Sequence, residues 1–202
     1  MELRERIIEE ASHLFFQQGI KSVTMSDIAY HLGISKRTLY ENFRDKEDLL
    51  RICLAVQMER TSAEMKDLIE MSENTIDAMM RIYAKQLNNV REFNKSALYD
   101  LKKYHPCLYE NIDSKQHENV SIFLPLFKRG IEQGLVRDDL NCEVLLWLLK
   151  AQFKMLMENF MPTDKFPIEQ FFEAIILNFT RGIATEKGNA MIEERLERIK
   201  KH

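Results

Sequence analysis

Apolar residues recur three and four positions apart along most of the chain, which is the period of an amphipathic α-helix. The first such segment spans residues 2–18 and is followed by Gly19, a common stop signal. Its apolar face consists of Leu3, Ile7, Ile8, Ala11, Leu14 and Phe15. Further segments cover residues 74–93, 95–103, 106–133, 141–159, 167–184 and 189–200, and Pro125 predicts a kink or a break within the third of these. The pattern predicts an all-α fold.

Composition supports long helices and a protein of the cell interior. The chain has 202 residues, 45% of them hydrophobic, with only six glycines and four prolines, which disfavours a β-sandwich, a barrel or a low-complexity chain. Three cysteines, Cys53, Cys107 and Cys142, lack C-x-x-C spacing and follow no secretory signal, so we expect reduced thiols and a cytoplasmic location. No uncharged apolar run reaches the roughly 18 residues of a membrane span, so we expect no membrane partner.

Residues 24–46 contain two short helices on either side of Gly33. Thr24 with Asp27 three residues later has the pattern of a capping box, and Ser35 stands where the second helix needs an N-cap. These helices can form a core only if the first long helix covers their apolar side chains. Those side chains are Ile28, Ala29, Leu32, Ile34, Leu39 and Phe43. The sequence therefore predicts a three-helix unit with a helix-turn-helix, followed by a further helix that Asp45 caps.

The second short helix has a polar outer face. Leu39 and Phe43 lie four residues apart on its inner side. The remaining side chains then point outward or lie on the flanks: Lys36, Arg37, Thr38, Tyr40 and Glu41. The net charge of the whole chain is −3, but residues 35–46 carry four basic side chains against two acidic ones. Such a face suits the major groove of DNA, which the second helix of a helix-turn-helix enters.

The spacing T-x3-I-A-x3-G-I-S-x3-L-Y-x2-F-x2-K-x2-L, from Thr24 to Leu49, resembles the signature of the tetracycline-repressor (TetR) family of transcription regulators. The resemblance implies an amino-terminal helix-turn-helix DNA-binding domain at residues 1–50. It also implies a larger helical domain at residues 51–202 that binds a small-molecule effector and forms a homodimer. A homodimer would bind a palindromic double-stranded DNA operator, with two recognition helices on two half-sites.

The same resemblance implies roles for individual residues of the module. Thr24 and Tyr40 correspond to phosphate-binding positions, and Ser35 and Lys46 to residues that anchor helix starts on the DNA backbone. The positions that approach bases are Lys36, Arg37 and Thr38. We prefer Arg37 as the base-reading residue because a guanidinium can donate two hydrogen bonds to guanine O6 and N7. Without the motif, Lys36 and Arg37 would be interpreted as a solvated helix face.

Two residues of this face depart from the pattern or oppose it. The position before Phe43 is often His in the family and is Asn42 here, which leaves the half-site sequence open. Glu41 carries a negative charge beside the expected phosphates. It can accept a hydrogen bond from cytosine N4, or it can pair with Arg37 four residues earlier, and we favour the pair.

Two later segments predict a subunit interface. Residues 144–160 are apolar nearly all round, so a helix there needs cover on more than one side. Residues 167–184 carry an apolar stripe with a second, narrower apolar side. The resemblance implies that the two equivalent helices form a four-helix dimer interface, for which the candidates are Leu148, Phe171, Ile175 and Phe179. An ordinary core within one chain explains the pattern equally well.

Aromatic side chains between these elements are candidates for the effector pocket that the resemblance implies. They are Tyr83, Tyr99, Tyr104, Phe123, Phe127, Trp147 and Phe153. Tyr104 and Trp147 are preferred because each has a donor that needs a partner when buried. His105 and His117 could orient a ligand, although a surface or capping histidine is more common. Taken singly, each aromatic residue is more often part of a core.

The sequence offers little support for an enzyme. Its single E-x-x-H, Glu10 to His13, lacks the second copy that a di-iron bundle needs, and His13 falls on the solvent side of the first helix. The cysteines have no histidine at ligand spacing, and no nucleotide-binding or nucleophile motif occurs. We therefore expect no cofactor and no metal. The alternative to a ligand-responsive repressor is a helical small-molecule carrier or partner-binding protein that keeps the fold without specific DNA binding.

Overall fold

The computed structural model describes residues 2–91, 94–111, 122–157 and 165–199, and these are almost entirely helical. The helices are α1 (Leu3–Gln18), α2 (Met25–Leu32), α3 (Lys36–Asn42), α4 (Lys46–Glu70), α5 (Thr75–Arg91), α6 (Lys95–Tyr104), α7 (Phe123–Glu132), α8 (Cys142–Met157), α9 (Ile168–Ile183) and α10 (Glu186–Ile199). Residues 106–111 are helical as well. The described residues contain no β-strand beyond one isolated bridge between Val136 and Ala184. The all-α prediction is confirmed.

Most helices begin and end close to the predicted positions, and the differences have local causes. The last helix begins at Glu186 rather than at residue 189, because the Thr185 hydroxyl caps it by accepting a hydrogen bond from the Gly188 N–H at 3.2 Å. Pro125 lies in the first turn of α7, where a missing N–H is tolerated. The predicted long helix upstream of it falls partly on residues 112–121, outside the described residues.

Contacts group the chain into two compact units. The first comprises residues 1–62 and 93–116, and the second comprises residues 63–92 and 117–202. Helix α6 therefore groups with the amino-terminal helices, and α4 has residues in both units. The predicted division into a DNA-binding domain at residues 1–50 and a ligand-binding and dimerisation domain at residues 51–202 stays a prediction.

The first unit is built around one apolar core. Phe15 from α1, Ile28 from α2 and Leu39 from α3 are fully buried in it, and Leu101 of α6 joins the same cluster. The Cys53 thiol donates a hydrogen bond to the Ile8 carbonyl at 3.5 Å, and burial raises the pKa of Cys53 to about 11. The three-helix arrangement predicted for α1, α2 and α3 is present.

Helix α5 lies at the centre of the second unit, packed against α7, α9 and α10. Ile192 and Leu196 bury the apolar stripe of α10 within the same chain. Gly188 permits this packing, since a Cβ there would collide with the Leu135 carbonyl oxygen. Every helix in the described part of the chain is too short or too polar to cross a lipid bilayer.

Candidate nucleic-acid interface

The start of α2 is fixed by a reciprocal pair between Thr24 and Asp27. The Thr24 hydroxyl accepts from the Asp27 N–H at 3.2 Å and donates to Asp27 Oδ2 at 2.7 Å. The same carboxylate accepts from the Thr24 N–H at 2.8 Å, and these bonds hold the pKa of Asp27 below its usual value. The predicted capping box is confirmed, and both partners remain solvent-exposed.

The turn between α2 and α3 depends on a left-handed glycine. Gly33 has φ +66°, a conformation that glycine adopts without the penalty other residues incur, and its N–H caps the end of α2. The Ile34 N–H then bonds back to the Ala29 carbonyl at 3.0 Å. Arg6 of α1 donates to the Leu32 carbonyl at 2.8 Å, so α1 holds the same corner. Together these bonds fix the angle at which α3 leaves the turn.

Helix α3 begins with Ser35 as its N-cap, as predicted. The Ser35 hydroxyl oxygen accepts from the Thr38 N–H at 3.0 Å and lies 2.8 Å from the Thr38 hydroxyl. Asn42 donates from its amide to the Thr38 carbonyl at 2.8 Å, one turn later. These polar side chains therefore stabilise a helix of only seven residues. They have this structural role whether or not they also contact DNA.

The outer face of α3 carries the exposed charge that the sequence predicts. The Arg37 side chain is 89% exposed, and its Nε donates to Glu41 Oε1 at 2.9 Å. Lys36 and Tyr40 are exposed beside it. The favoured interpretation of Glu41, an ion pair with Arg37, is confirmed. An exposed pair of this kind contributes about 0.5 kcal/mol, so Arg37 is free to exchange it for another acceptor.

Lys46, at the start of α4, lies partly inside the module. Its Nζ is 3.5 Å from the Lys21 carbonyl oxygen and 5.8 Å from the centre of the Phe15 ring. Burial lowers the pKa of Lys46, against the opposing effect of Asp100 and Asp27. The ammonium thus ties α4 to the loop before α2, a structural role that the motif alone did not indicate.

Helix α6 is fastened to this module by two side chains that the sequence analysis missed. Asn94, its N-cap, donates from Nδ2 to the Gln17 carbonyl at 2.6 Å, and the buried Asp100 accepts from the Lys21 N–H at 2.7 Å. Both backbone partners lie at the end of α1 or just after it. The position of Asn94 before a helix was an available signal, whereas the partner of Asp100, 79 residues away, was not.

The model of a known family covers this module. The family described as "Bacterial regulatory proteins, tetR family" matches residues 7–52, from within α1 into the start of α4. An uncharacterised HTH-type transcriptional regulator of Bacillus subtilis, YvaF, is 27% identical over 91% of this chain and 96% of its own length. The amino-terminal module is therefore similar to that of TetR-family regulators, and the chain as a whole is similar to an HTH-type regulator.

Two further transcriptional regulators are similar to most of the chain. The HTH-type transcriptional repressor KstR2 of Mycobacterium tuberculosis is 18% identical over 91% of this chain and 94% of its own length. The transcriptional regulator FadR of Bacillus subtilis, solved in complex with stearoyl-CoA, matches 89% of this chain and 98% of its own with a TM-score of 0.65 and 16% identity. The relatives named here are transcriptional regulators, and none of their names is that of an enzyme.

The predicted effector residues fall into several groups in the structure. Tyr83 stacks on Phe172 at 6.1 Å between ring centres, and Phe153 packs on the same ring at 5.6 Å. Phe123 and Phe127 belong to a second cluster of the same unit. The structure therefore brings together Tyr83 with Phe153, and Phe123 with Phe127.

The other aromatic candidates are exposed. Tyr99 and Tyr104 lie on α6 in the first unit, where Lys103 is 5.1 Å and 5.5 Å from their ring centres. Trp147 is 58% exposed on α8, with Lys150 at 5.6 Å from its ring. His105 is mostly buried in the first unit, and His117 lies outside the described residues. A shared effector pocket for the whole set stays a prediction.

The candidate dimerisation residues lie on α8 and α9. Leu148 is 54% exposed, next to Trp147. Phe171, Ile175 and Phe179 are half-buried, and Phe179 packs on Phe127 at 6.1 Å between ring centres. Several apolar side chains of α8 are thus exposed to solvent in the single chain.

Proposed function

We propose that this chain is a ligand-responsive repressor of the TetR family that binds a palindromic DNA operator as a homodimer and leaves it when an effector binds. The observation that carries the proposal is the exposed outer face of α3, where Lys36, Arg37 and Tyr40 project from a helix that Ser35 caps and Gly33 orients. In this assignment Arg37 reads a base, while Lys36 and Thr38 approach the base edges. A protein with this role acts in the cytoplasm.

The phosphate contacts come from the edges of the module. Thr24, at the exposed start of α2, and Tyr40 on α3 are placed to bind backbone oxygens in this assignment. Ser35, Asn42 and Lys46 use part of their hydrogen-bonding capacity inside the module, so their role on DNA is to position α3 and α4 as much as to add contacts. Exposed Arg44, whose Nε pairs with Asp45 at 3.0 Å, adds another positive charge just before α4.

Dimerisation through α8 and α9 is supported by the apolar side chains that one chain leaves uncovered. Val144, Trp147, Leu148 and Met155 are between 46% and 58% exposed and recur along one face of α8. Exposed apolar patches of this kind mark interaction surfaces, and a second copy supplies the same face by two-fold symmetry. Two modules per assembly would then contact two half-sites.

Effector binding in the second unit would act on DNA affinity through α4 and α6. Helix α4 runs without interruption from residues of the first unit into residues of the second. Helix α6 is bonded to the end of α1 through Asn94 and to the loop after α1 through Asp100. An effector releases DNA only if it binds more tightly to the arrangement that does not fit the operator; couplings of about 1–3 kcal/mol are typical.

The alternative is a helical carrier that has the fold but no specific DNA binding, and Glu41 together with the net charge of −3 is the observation in its favour. Titration of the protein with duplex DNA at increasing salt separates the two. A repressor that contacts several phosphates loses affinity steeply as salt rises, because bound counterions are released. Failure to retain duplex DNA even at low salt would support the carrier and reject the repressor.

A further inference from the structure

A small cavity of about 210 Å³ lies between the carboxyl-terminal part of α4 and the start of α7, within the second unit. Its walls are mostly apolar, with three charged side chains among them. The lining residues are Lys66, Ile69, Glu70, Ile122, Pro125, Leu126 and Arg129. Apolar walls with a few convergent polar groups are typical of small-molecule sites, and the volume suits a small ligand.

Arg129 is the unusual member of this set. Its Nε and Nη2 atoms are buried and have no hydrogen-bond acceptor among residues 2–91, 94–111, 122–157 and 165–199. Glu70 lines the same cavity, yet no ion pair joins it to Arg129 in the described part of the chain. Buried N–H donors without an acceptor are unfavourable, so this half-buried side chain holds two donors that no described residue satisfies.

The position of Arg129 is rigidly determined by the packing of α7 on α5. The Thr75 hydroxyl donates to the Leu126 carbonyl at 3.1 Å, and the Thr75 N–H donates to Gln133 Oε1 at 3.0 Å. Between these two bonds stands Gly130, where an added Cβ would come within 2.9 Å of the Thr75 methyl carbon. Helix α7 therefore cannot slide on α5 without breaking these contacts, and the backbone that carries Arg129 is fixed beside the cavity in advance of any ligand.

We propose that this cavity binds a small organic carboxylate, with the carboxylate paired to Arg129 and the hydrocarbon part against Ile69 and Leu126. A planar guanidinium favours a carboxylate because it can donate two parallel hydrogen bonds. Lys66 adds a second positive charge against the one negative charge of Glu70. The apolar walls select an organic acid over an inorganic anion. The inference deepens the proposed function, since it gives the chemical class of the effector.

The test is isothermal titration calorimetry on the full-length protein with hexanoate, with hexanamide as the neutral match and inorganic phosphate as the anion without an apolar part. We expect saturable binding of hexanoate, at least roughly tenfold weaker binding of hexanamide and of phosphate, and roughly a tenfold or larger loss in Arg129→Met. The matched control is Lys128→Met, which removes the neighbouring exposed cation of α7. It should bind hexanoate like the unaltered protein.

Thermal unfolding without ligand shows whether Arg129 has only a structural role. Replacing buried donors that lack an acceptor by Met removes their desolvation cost, so Arg129→Met should have the higher Tm in the absence of carboxylate. A lower Tm, equal binding of hexanoate and hexanamide, or no binding of hexanoate would overturn the proposal. DNA retention by the same preparation is measured separately: a protein that binds duplex but not hexanoate contradicts only the cavity assignment, and the converse contradicts only the repressor.

Discussion

The Asp100 carboxylate on α6 accepts a hydrogen bond at 2.7 Å from the backbone N–H of Lys21, in the loop between α1 and α2. The two residues are 79 positions apart in the sequence, yet both belong to the same compact unit, in which α6 packs on α1. The bond therefore connects the amino-terminal module to a helix that lies outside residues 7–52. It makes α6 part of the structure that presents α3.

Replacing Asp100 by Ala should destabilise the first unit, because the Lys21 N–H loses a partly buried acceptor. We expect a loss of about 1–3 kcal/mol in the free energy of unfolding, measured by urea denaturation. Asp100→Asn keeps an oxygen that can accept the same bond and should lose distinctly less. Equal losses in the two variants would show that charge, not the bond to Lys21, explains the effect.

Glu41 should weaken DNA binding in the unaltered protein. It neutralises Arg37 through the 2.9 Å pair and repels nearby phosphates. We therefore predict that Glu41→Gln binds random duplex DNA several-fold more tightly, roughly the effect of one added phosphate interaction, with the gain shrinking as salt rises. Glu9→Gln, which removes an exposed carboxylate from α1, is the control. A gain of the same size in the control would assign the effect to net charge alone.

Leu148 tests the proposed subunit interface. A charge at the centre of the apolar face of α8 cannot be buried against a second copy without a large desolvation cost, so Leu148→Lys should sediment as a monomer. Met71→Lys introduces the same charge at another exposed apolar residue, just after α4, and should leave the assembly unchanged. A Leu148→Lys protein that remains dimeric would place the interface elsewhere.

Tyr83 gives the chain a measurable signature at alkaline pH. Burial raises the pKa of Tyr83 from 10.0 to about 12, helped by the nearby Glu173 carboxylate, which accepts a hydrogen bond from the Tyr83 hydroxyl at 3.1 Å. Between these values the folded chain keeps a proton that the unfolded chain loses, so stability falls as pH rises through this range. The decline should be shallower in Tyr83→Phe.

Ultraviolet titration of the phenolate checks the raised pKa of Tyr83 directly. The difference between the unaltered protein and Tyr83→Phe isolates one phenol, whose midpoint should lie well above the pKa of an exposed tyrosine. A midpoint for Tyr83 at the ordinary value of a tyrosine, about 10, would contradict its buried environment.

The sequence predicted best the features that depend on neighbours a few residues away. The capping box at Thr24, the N-cap at Ser35 and the pair of Arg37 with Glu41 all follow from spacings of three and four residues, and each is present. Helix boundaries were close for the same reason. The start of α10 was the exception, because Thr185 was passed over as a cap.

Features that depend on distant contacts could not be predicted. The spacing of aromatic residues in the sequence does not distinguish a buried ring from an exposed one. In the structure Tyr83 is buried, whereas Tyr99 and Trp147 are exposed. Arg129 is similar: that its Nε and Nη2 lack an acceptor among the described residues depends on what α4 and α7 place around them, which composition does not encode.

The most direct test of the central claim is selection of bound duplexes from a random-sequence pool, with the unaltered protein and Arg37→Ala in parallel. The account predicts enrichment of an inverted repeat bound by two chains, and loss of preference at the same position of both half-sites in Arg37→Ala, with generic affinity reduced much less. Enrichment of no sequence by the unaltered protein, or the same site preference in both proteins, would contradict it.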